Sequence, residues 1–183
     1  ILPGMLTGKI LRSPHPPASI TGIDPSQALA IEGVQAVFTF KDIAYLAKPI
    51  PVRVFDLEGL SDYLQLPLAE DIVRYVGEPV AVVVASNRYI AEDAARAVVP
   101  ELEPIPVVQN CEAGLAENSE ILHPDLGTNL VGELGVEKGN AAEALAASPR
   151  RIKRRFVHHR YAAMPMECRG VLAQYDRRTD SLT

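Results

Sequence analysis

The stretch 72-IVRYVGEPVAVVVASNRYIAEDAARAVV-99 decides the fold. Its centre, PVAVVVA at 79–85, is a continuous apolar run of strand length, the pattern expected when both faces of a strand are covered. Gly77-Glu78-Pro79 turns the chain in front of it, and IVRYVG at 72–77 reads as a strand on the far side of that turn. Behind the run, Ser86 or Asn87 is suited to cap a helix. RYIAEDAARAVV then sets Ile90, Ala94, Ala97 and Val98 at helical spacing, with Glu92, Asp93 and Arg96 on the other side. A strand that needs cover, followed by an amphipathic helix that can supply it, specifies a sheet with helices packed on it.

Upstream, Met5 to Leu11 reads as a strand, and SPHPP at 13–17 cannot continue it because proline removes donors and restricts φ. ITGID at 20–24 is a short strand or loop. Asp24 as N-cap, Pro25 at the first helical position and Gly33 as stop frame a short helix over SQALAI. VQAVFTF at 34–40 is a strand, and Lys41-Asp42 begins a turn. Residues 44–70 are weakly patterned and read as a long loop with one short helical or strand piece. Downstream, Leu102 to Val108 is an edge strand, since Pro104 and Pro106 exclude a central position. CEAGLAE at 111–117 is a one- or two-turn helix, HPDLGTN at 123–129 a loop, and GNAAEALAAS at 139–148 a helix that Pro149 ends. RRIKRRFVHHRY at 150–161 and GVLAQYD at 170–176 read as strands, with RRTDS at 177–181 a hairpin-type turn. Thr183 falls where a partner strand should begin, which reads as truncation. The fold class is α+β, a mixed sheet with packed helices.

Composition bounds what such a chain can do. It has 183 residues, 48% hydrophobic and 22% charged, enough for a sizeable core and unlike a disordered chain. Tryptophan is absent and aromatics make up 5%, so the core should be Val, Leu, Ile and Ala. No apolar run is long enough to span a membrane. ILPGMLTGK at the start is no signal peptide and lacks an initial Met, so the chain is expected to begin inside a longer gene product or after cleavage. Cys111 and Cys168 form no CxxC pair, which suits a reducing, cytoplasmic compartment. Net charge is −5, but residues 150–183 hold nine Lys/Arg against three Asp/Glu. A basic tail on an acidic body suits nucleic acid, a strand with a basic solvent face, or an acidic docking partner. The run 150-RRIKRR-155 carries the nucleic-acid alternative, without an aromatic platform to support it.

Catalytic motifs are missing. GxGxxG, GxxxxGK[ST], GxSxG and HExxH do not occur. Glu92 and Asp93 are adjacent, so on a helix they point about 100° apart and read as a solvated face. His15 and His123 lie in proline-framed loops, where a solvated or backbone-bonding role is the ordinary one. The stretch 156-FVHHRYAAMPMECRG-170 gathers His158, His159, Met164, Met166, Glu167 and Cys168. On a strand the two histidines face opposite sides, and Cys168 lies outside the ligand spacing of compact metal sites. Met164 and Met166 share a face and read as core. Glu167 reads as buried, and Arg169 or Arg160 would partner it.

Five pieces of the sequence, in order, carry a resemblance: LPGMLTGKILRSPHPPASI, GIDPSQALAIEGVQAVFTFKDI, VRYVGEPVAVVVASNRYIAEDAARAV, GTNLV and RFVHHRYAAMPMECRGVLAQYDRRTDSLT. The chain resembles the N-terminal part of the molybdenum-binding large subunit of the xanthine dehydrogenase, aldehyde oxidase and aerobic carbon monoxide dehydrogenase family. The first four pieces look like its α/β hammerhead domain and the last like the start of its molybdopterin-binding domain. The resemblance implies residues 1–148 as the hammerhead, N-terminally truncated, and 149–183 as the first strands of a truncated second domain. Glu167 and Arg169 are the marks of that second domain, in a motif where Cys168 stands in place of the family's proline. SPHPPASI also lacks the family's second histidine.

The resemblance implies no catalytic, cofactor-binding or metal-ligating residue in this segment beyond those two motif residues. For the parent it implies molybdopterin with molybdenum, in the cytosine dinucleotide form, and iron–sulfur clusters and FAD on partner subunits or domains. Water-derived oxygen is transferred to a substrate carbon, and electrons leave through those centres. The partners implied are the rest of the molybdopterin domain, an iron–sulfur subunit and an FAD subunit, assembled as a dimer of heterotrimers, without nucleic acid. This segment would be structural, packing on the pterin domain and helping to contact the iron–sulfur subunit, and inactive alone.

Overall fold

The apolar run at 79–85 forms β5, Pro79–Ala85, the central strand of a three-stranded sheet ordered β1-β5-β3. β1 is Thr7–Arg12 and β3 is Val34–Thr39. The computed structural model describes residues 2–52, 57, 59–159, 161, 162 and 164–183. Part of the expected 44–70 loop therefore lies outside the described residues, as does Arg160. A second three-stranded sheet is ordered β4-β2-β6, with β2 at Ala18–Asp24, β4 at Ile72–Val73 and β6 at Val99–Pro104. Every ladder between these strands is antiparallel, where the sequence suggests a mixed sheet; the α+β class holds.

β5 is bonded on both edges and alternates across its two faces. Val83 points to the side covered by α3, Arg88–Ala97, and α1, Ser26–Leu29. There Ala28, Val83, Ala94, Ala95 and Val98 form a fully buried cluster, flanked by Leu11, Ile23, Ile31, Val34 and Val37. A second cluster joins Val80 to Ala18, Ala69 and Val73 between the sheets. Alanines dominate the helix face, so backbone and sheet approach closely, which small side chains permit. Gly33 belongs to this close approach. Its φ is +91°, and a Cβ there would meet Ile90 Cδ1 and Ser86 Oγ at 2.8 Å.

α3 begins where expected. Asn87 is its cap, its side chain accepting the N–H groups of Tyr89 and Ile90 at 3.0 Å each. Asp24 accepts the Ser26 N–H at 2.9 Å but stands one residue outside the cap of α1, because Pro25 takes that place. A short α2, Phe40–Ile43, follows β3 where only a turn is expected. Asp42 holds its start by accepting the Thr39 N–H at 2.7 Å.

Three strand expectations change. IVRYVG pairs only at Ile72–Val73, because the Arg74 N–H is taken by the Glu78 side chain and Gly77 turns the backbone at φ +95°. The edge strand begins at Val99 rather than Leu102, since its ladder with β2 starts at the Asp24–Val99 pair, and it ends at Pro104. RRIKRRFVHHRY forms no strand: its described residues are irregular and exposed. Alternation makes a segment fit to pair, but a strand exists only where a neighbour accepts its backbone bonds.

The chain divides into two units, Ile1–Val136 and Glu137–Thr183. The second holds α4, Ala141–Ala147, and a hairpin of β7, Tyr175–Asp176, with β8, Ser181–Leu182. GVLAQYD is thus a strand only at its last two residues. None of the described residues in this unit is buried.

Candidate functional site

Two sequence pieces that the resemblance singles out, RSPHPP and VGEPV, meet in one polar node beside β5. Ser13 and Glu78 are the buried polar residues among those described, at 2% and 3% exposure. Their backbones are cross-linked: Ser13 N–H donates to the Glu78 carbonyl and Gly77 N–H to the Ser13 carbonyl, each at 2.8 Å. The Arg12 guanidinium donates to the Gly77 carbonyl at 2.8 Å. The Ser13 hydroxyl accepts the His15 N–H at 3.2 Å, so the chain turns across Pro14 without leaving the serine unpaired. His15 itself is exposed.

The Glu78 side chain points back into this turn. Oε2 accepts the Arg74 N–H at 2.5 Å, and the Arg74 guanidinium lies 3.9 Å from Oε1. Burial raises the carboxyl's pKa above the ordinary glutamate value, against the lowering effect of the Arg74 N–H and charge. Arg74 also reaches outward. Its Nε donates to the Leu122 carbonyl at 3.1 Å, tying the 115–130 loop to the end of β4. His123 is next in the chain, its ring edge-to-face with Tyr63 at 4.9 Å between centroids. Burial, and then the Arg74 charge, lower the His123 pKa.

Asn129, from the GTNLV piece, closes that loop on itself. Its Oδ1 accepts the Leu122 N–H at 2.9 Å, while Nδ2 donates to the carbonyls of Glu120 at 2.7 Å and Gly114 at 3.1 Å. The Tyr63 hydroxyl donates to the Leu130 carbonyl at 3.1 Å. Sequence reasoning did not assign Glu78, Arg74 or Asn129 to these tasks. The available signal was a charged residue, Glu78, set directly before the most apolar run in the chain.

The residues singled out at 156–170 are not brought together. His158, His159, Met164, Met166, Glu167, Cys168 and Arg169 are all exposed on irregular backbone. Met164 and Met166, read as core, are 88% and 102% exposed. Glu167, read as buried, is exposed, and no ion pair joins it to Arg169 among the described residues. Both cysteines are free and exposed. The described residues contain no group of three His, Cys, Asp or Glu that could hold a metal ion. A cleft lined by Ile20–Ile23, Thr39–Lys41 and Ala69–Asp71 measures about 100 Å³, too small for a pterin nucleotide. What the geometry supports is a scaffold with two buried polar fasteners.

Residues 1–106 match the family described as aldehyde oxidase and xanthine dehydrogenase, a/b hammerhead domain. The chain is 38% identical to the nicotine 6-hydroxylase large subunit of Paenarthrobacter nicotinovorans, over 98% of this chain and 22% of that one. It is 31% identical to the carbon monoxide dehydrogenase large chain of Afipia carboxidovorans, over 100% of this chain and 23% of that one. Among solved structures, quinoline 2-oxidoreductase from Pseudomonas putida 86 superposes with a TM-score of 0.83 at 38% identity, covering 100% of this chain and 23% of that one. The chain therefore spans less than a quarter of the length of these relatives.

Proposed function

The chain belongs to the aldehyde oxidase and xanthine dehydrogenase family and carries its a/b hammerhead domain, and on that premise we propose that it is the scaffold and interface segment of a molybdenum hydroxylase large subunit. Residues 1–148 are the hammerhead, and 149–183, marked by Glu167 and Arg169, open the molybdopterin-binding domain. The parent transfers water-derived oxygen to a substrate carbon. Its molybdenum sits on a molybdopterin, in the cytosine dinucleotide form, bound by polypeptide outside these residues. Electrons pass to iron–sulfur clusters and FAD on partner subunits, in a cytoplasmic dimer of heterotrimers. No helix among the described residues is long and apolar enough to cross a membrane.

One observation carries the interface role. Ile152, Phe156, Tyr161, Met164, Met166 and Val171 are each more than four-fifths exposed within a unit that buries nothing among its described residues. Apolar side chains at that density are sites of contact with other polypeptide. That this chain spans less than a quarter of its relatives supports reading that polypeptide as the remainder of the large subunit.

The test is molybdenum and pterin content, by elemental analysis and by fluorescence of the oxidised pterin. The isolated chain should hold neither. Co-expressed with the downstream part of the large subunit, it should co-purify with stoichiometric molybdenum, and amides at 150–172 should gain protection from exchange. Stoichiometric molybdenum on the isolated chain would sink the proposal.

A further inference from the structure

The 115–130 loop is built in a way that separates its shape from its docking. Its shape is held by Asn129, whose amide bonds to Leu122 and Glu120 within the loop, and to Gly114 directly before it, do not titrate. Its docking depends on groups outside it: the Arg74 Nε on the Leu122 carbonyl, the Tyr63 hydroxyl on the Leu130 carbonyl, and the Tyr63 ring against His123. His123 therefore sits at the joint, next in sequence to the carbonyl that a guanidinium clasps. The charged and titratable groups facing it among the described residues are Arg74 from the end of β4 and Tyr63 from the turn at Leu60–Tyr63, with Glu78 behind Arg74.

The geometry points to an acid-released strap: protonating His123 detaches the preformed 115–130 loop from Arg74 while the Tyr63 contact stays as its hinge. A cation at His123 is repelled by Arg74 and loses solvation in the docked position, whereas the neutral Tyr63 ring does not repel it. The docked state depresses the His123 pKa below 6.5. Docking is then complete above the undocked value and weakens as pH falls through it, until the docked pKa is passed. The neutral Asn129 network keeps the loop folded as it leaves.

Hydrogen–deuterium exchange on the full-length protein tests this, at pH about 7.5 and about 6 with intrinsic rates corrected. Amides at 119–128 should lose protection several-fold at the lower pH while those at 79–85 keep theirs. Glu78→Gln, which removes the titrating carboxyl behind Arg74, should retain the dependence. His123→Phe keeps a ring against Tyr63 but cannot titrate, and should abolish it. The idea is overturned if the wild-type loop is insensitive to pH, if it opens only together with 79–85, or if His123→Phe keeps the wild-type dependence. Should His123→Phe leave 79–85 unprotected at both values, an NMR titration of His123 in Arg74→Gln decides. Its pKa should move up, and an unchanged value overturns the assignment.

Discussion

The carboxylate of Glu78 accepts the backbone N–H of Arg74 at 2.5 Å, so one buried side chain closes the turn that feeds the central strand. Glu78→Leu leaves that N–H without its acceptor and should destabilise the first unit by about 3 kcal/mol in urea unfolding. Glu78→Gln keeps an acceptor and should cost about 1 kcal/mol near neutral pH. The pH dependence has a definite sign. Burial raises the folded-state pKa above 4.5, so this group's favourable contribution is complete below 4.5 and is lost as pH rises through the raised value. The stability advantage of wild type over Glu78→Gln should therefore shrink with rising pH. A gap that widens would contradict the burial argument.

Asn87 satisfies two N–H groups at the start of α3. Asn87→Ala should cost about 1 kcal/mol, read as a lowered Tm by circular dichroism, and Asn87→Ser should restore most of it.

Gly33 and Gly4 separate conformation from space. Both have positive φ, but a Cβ at Gly4 meets nothing within 4 Å. Gly4→Ala should cost about 1 kcal/mol from φ alone. Gly33→Ala adds the clash with Ile90 and Ser86 and should cost about 3 kcal/mol in the same unfolding measurement.

Asn129→Asp keeps the acceptor for Leu122 but loses both donors to Gly114 and Glu120. Exchange at 115–130 should rise about tenfold or more, with β5 unaffected. Equal loosening of β5 would place Asn129 in the core rather than in the loop.

Ile152→Ser with Phe156→Ser removes two exposed apolar side chains. Thermal stability of the first unit should change by under about 0.5 kcal/mol. Recovery of the complex with the downstream polypeptide should fall several-fold. Unchanged recovery would mean that these side chains face solvent in the assembly as well.

The legible part of this fold was local. PVAVVVA and the helix after it carry their period, cap and flanking turn within one window, and both form as expected. What was not legible depended on partners distant in sequence. Arg74 leaves its strand because a carboxylate at Glu78 competes for its N–H, and alternation in IVRYVG does not show that. RRIKRRFVHHRY has the composition of a strand but no neighbour among the described residues to pair with. The polar node was half visible. RSPHPP and VGEPV stand out as motifs, but the interlocking of Ser13 and Glu78 depends on the antiparallel register that sets Arg12 opposite Pro79.

The unit that buries nothing also bears on how the protein is made. A ribosome delivers residues 1–136 first, and these enclose the core around Val83 and Val80 from their own side chains alone. They can mature while synthesis continues. Residues 137–183 then emerge with Phe156, Met164 and Met166 uncovered and no core of their own among the described residues. Uncovered apolar side chains on a nascent chain are the kind of surface that chaperones bind and that aggregates. On the assembly proposed above, the pace at which the downstream polypeptide arrives sets how long that exposure lasts.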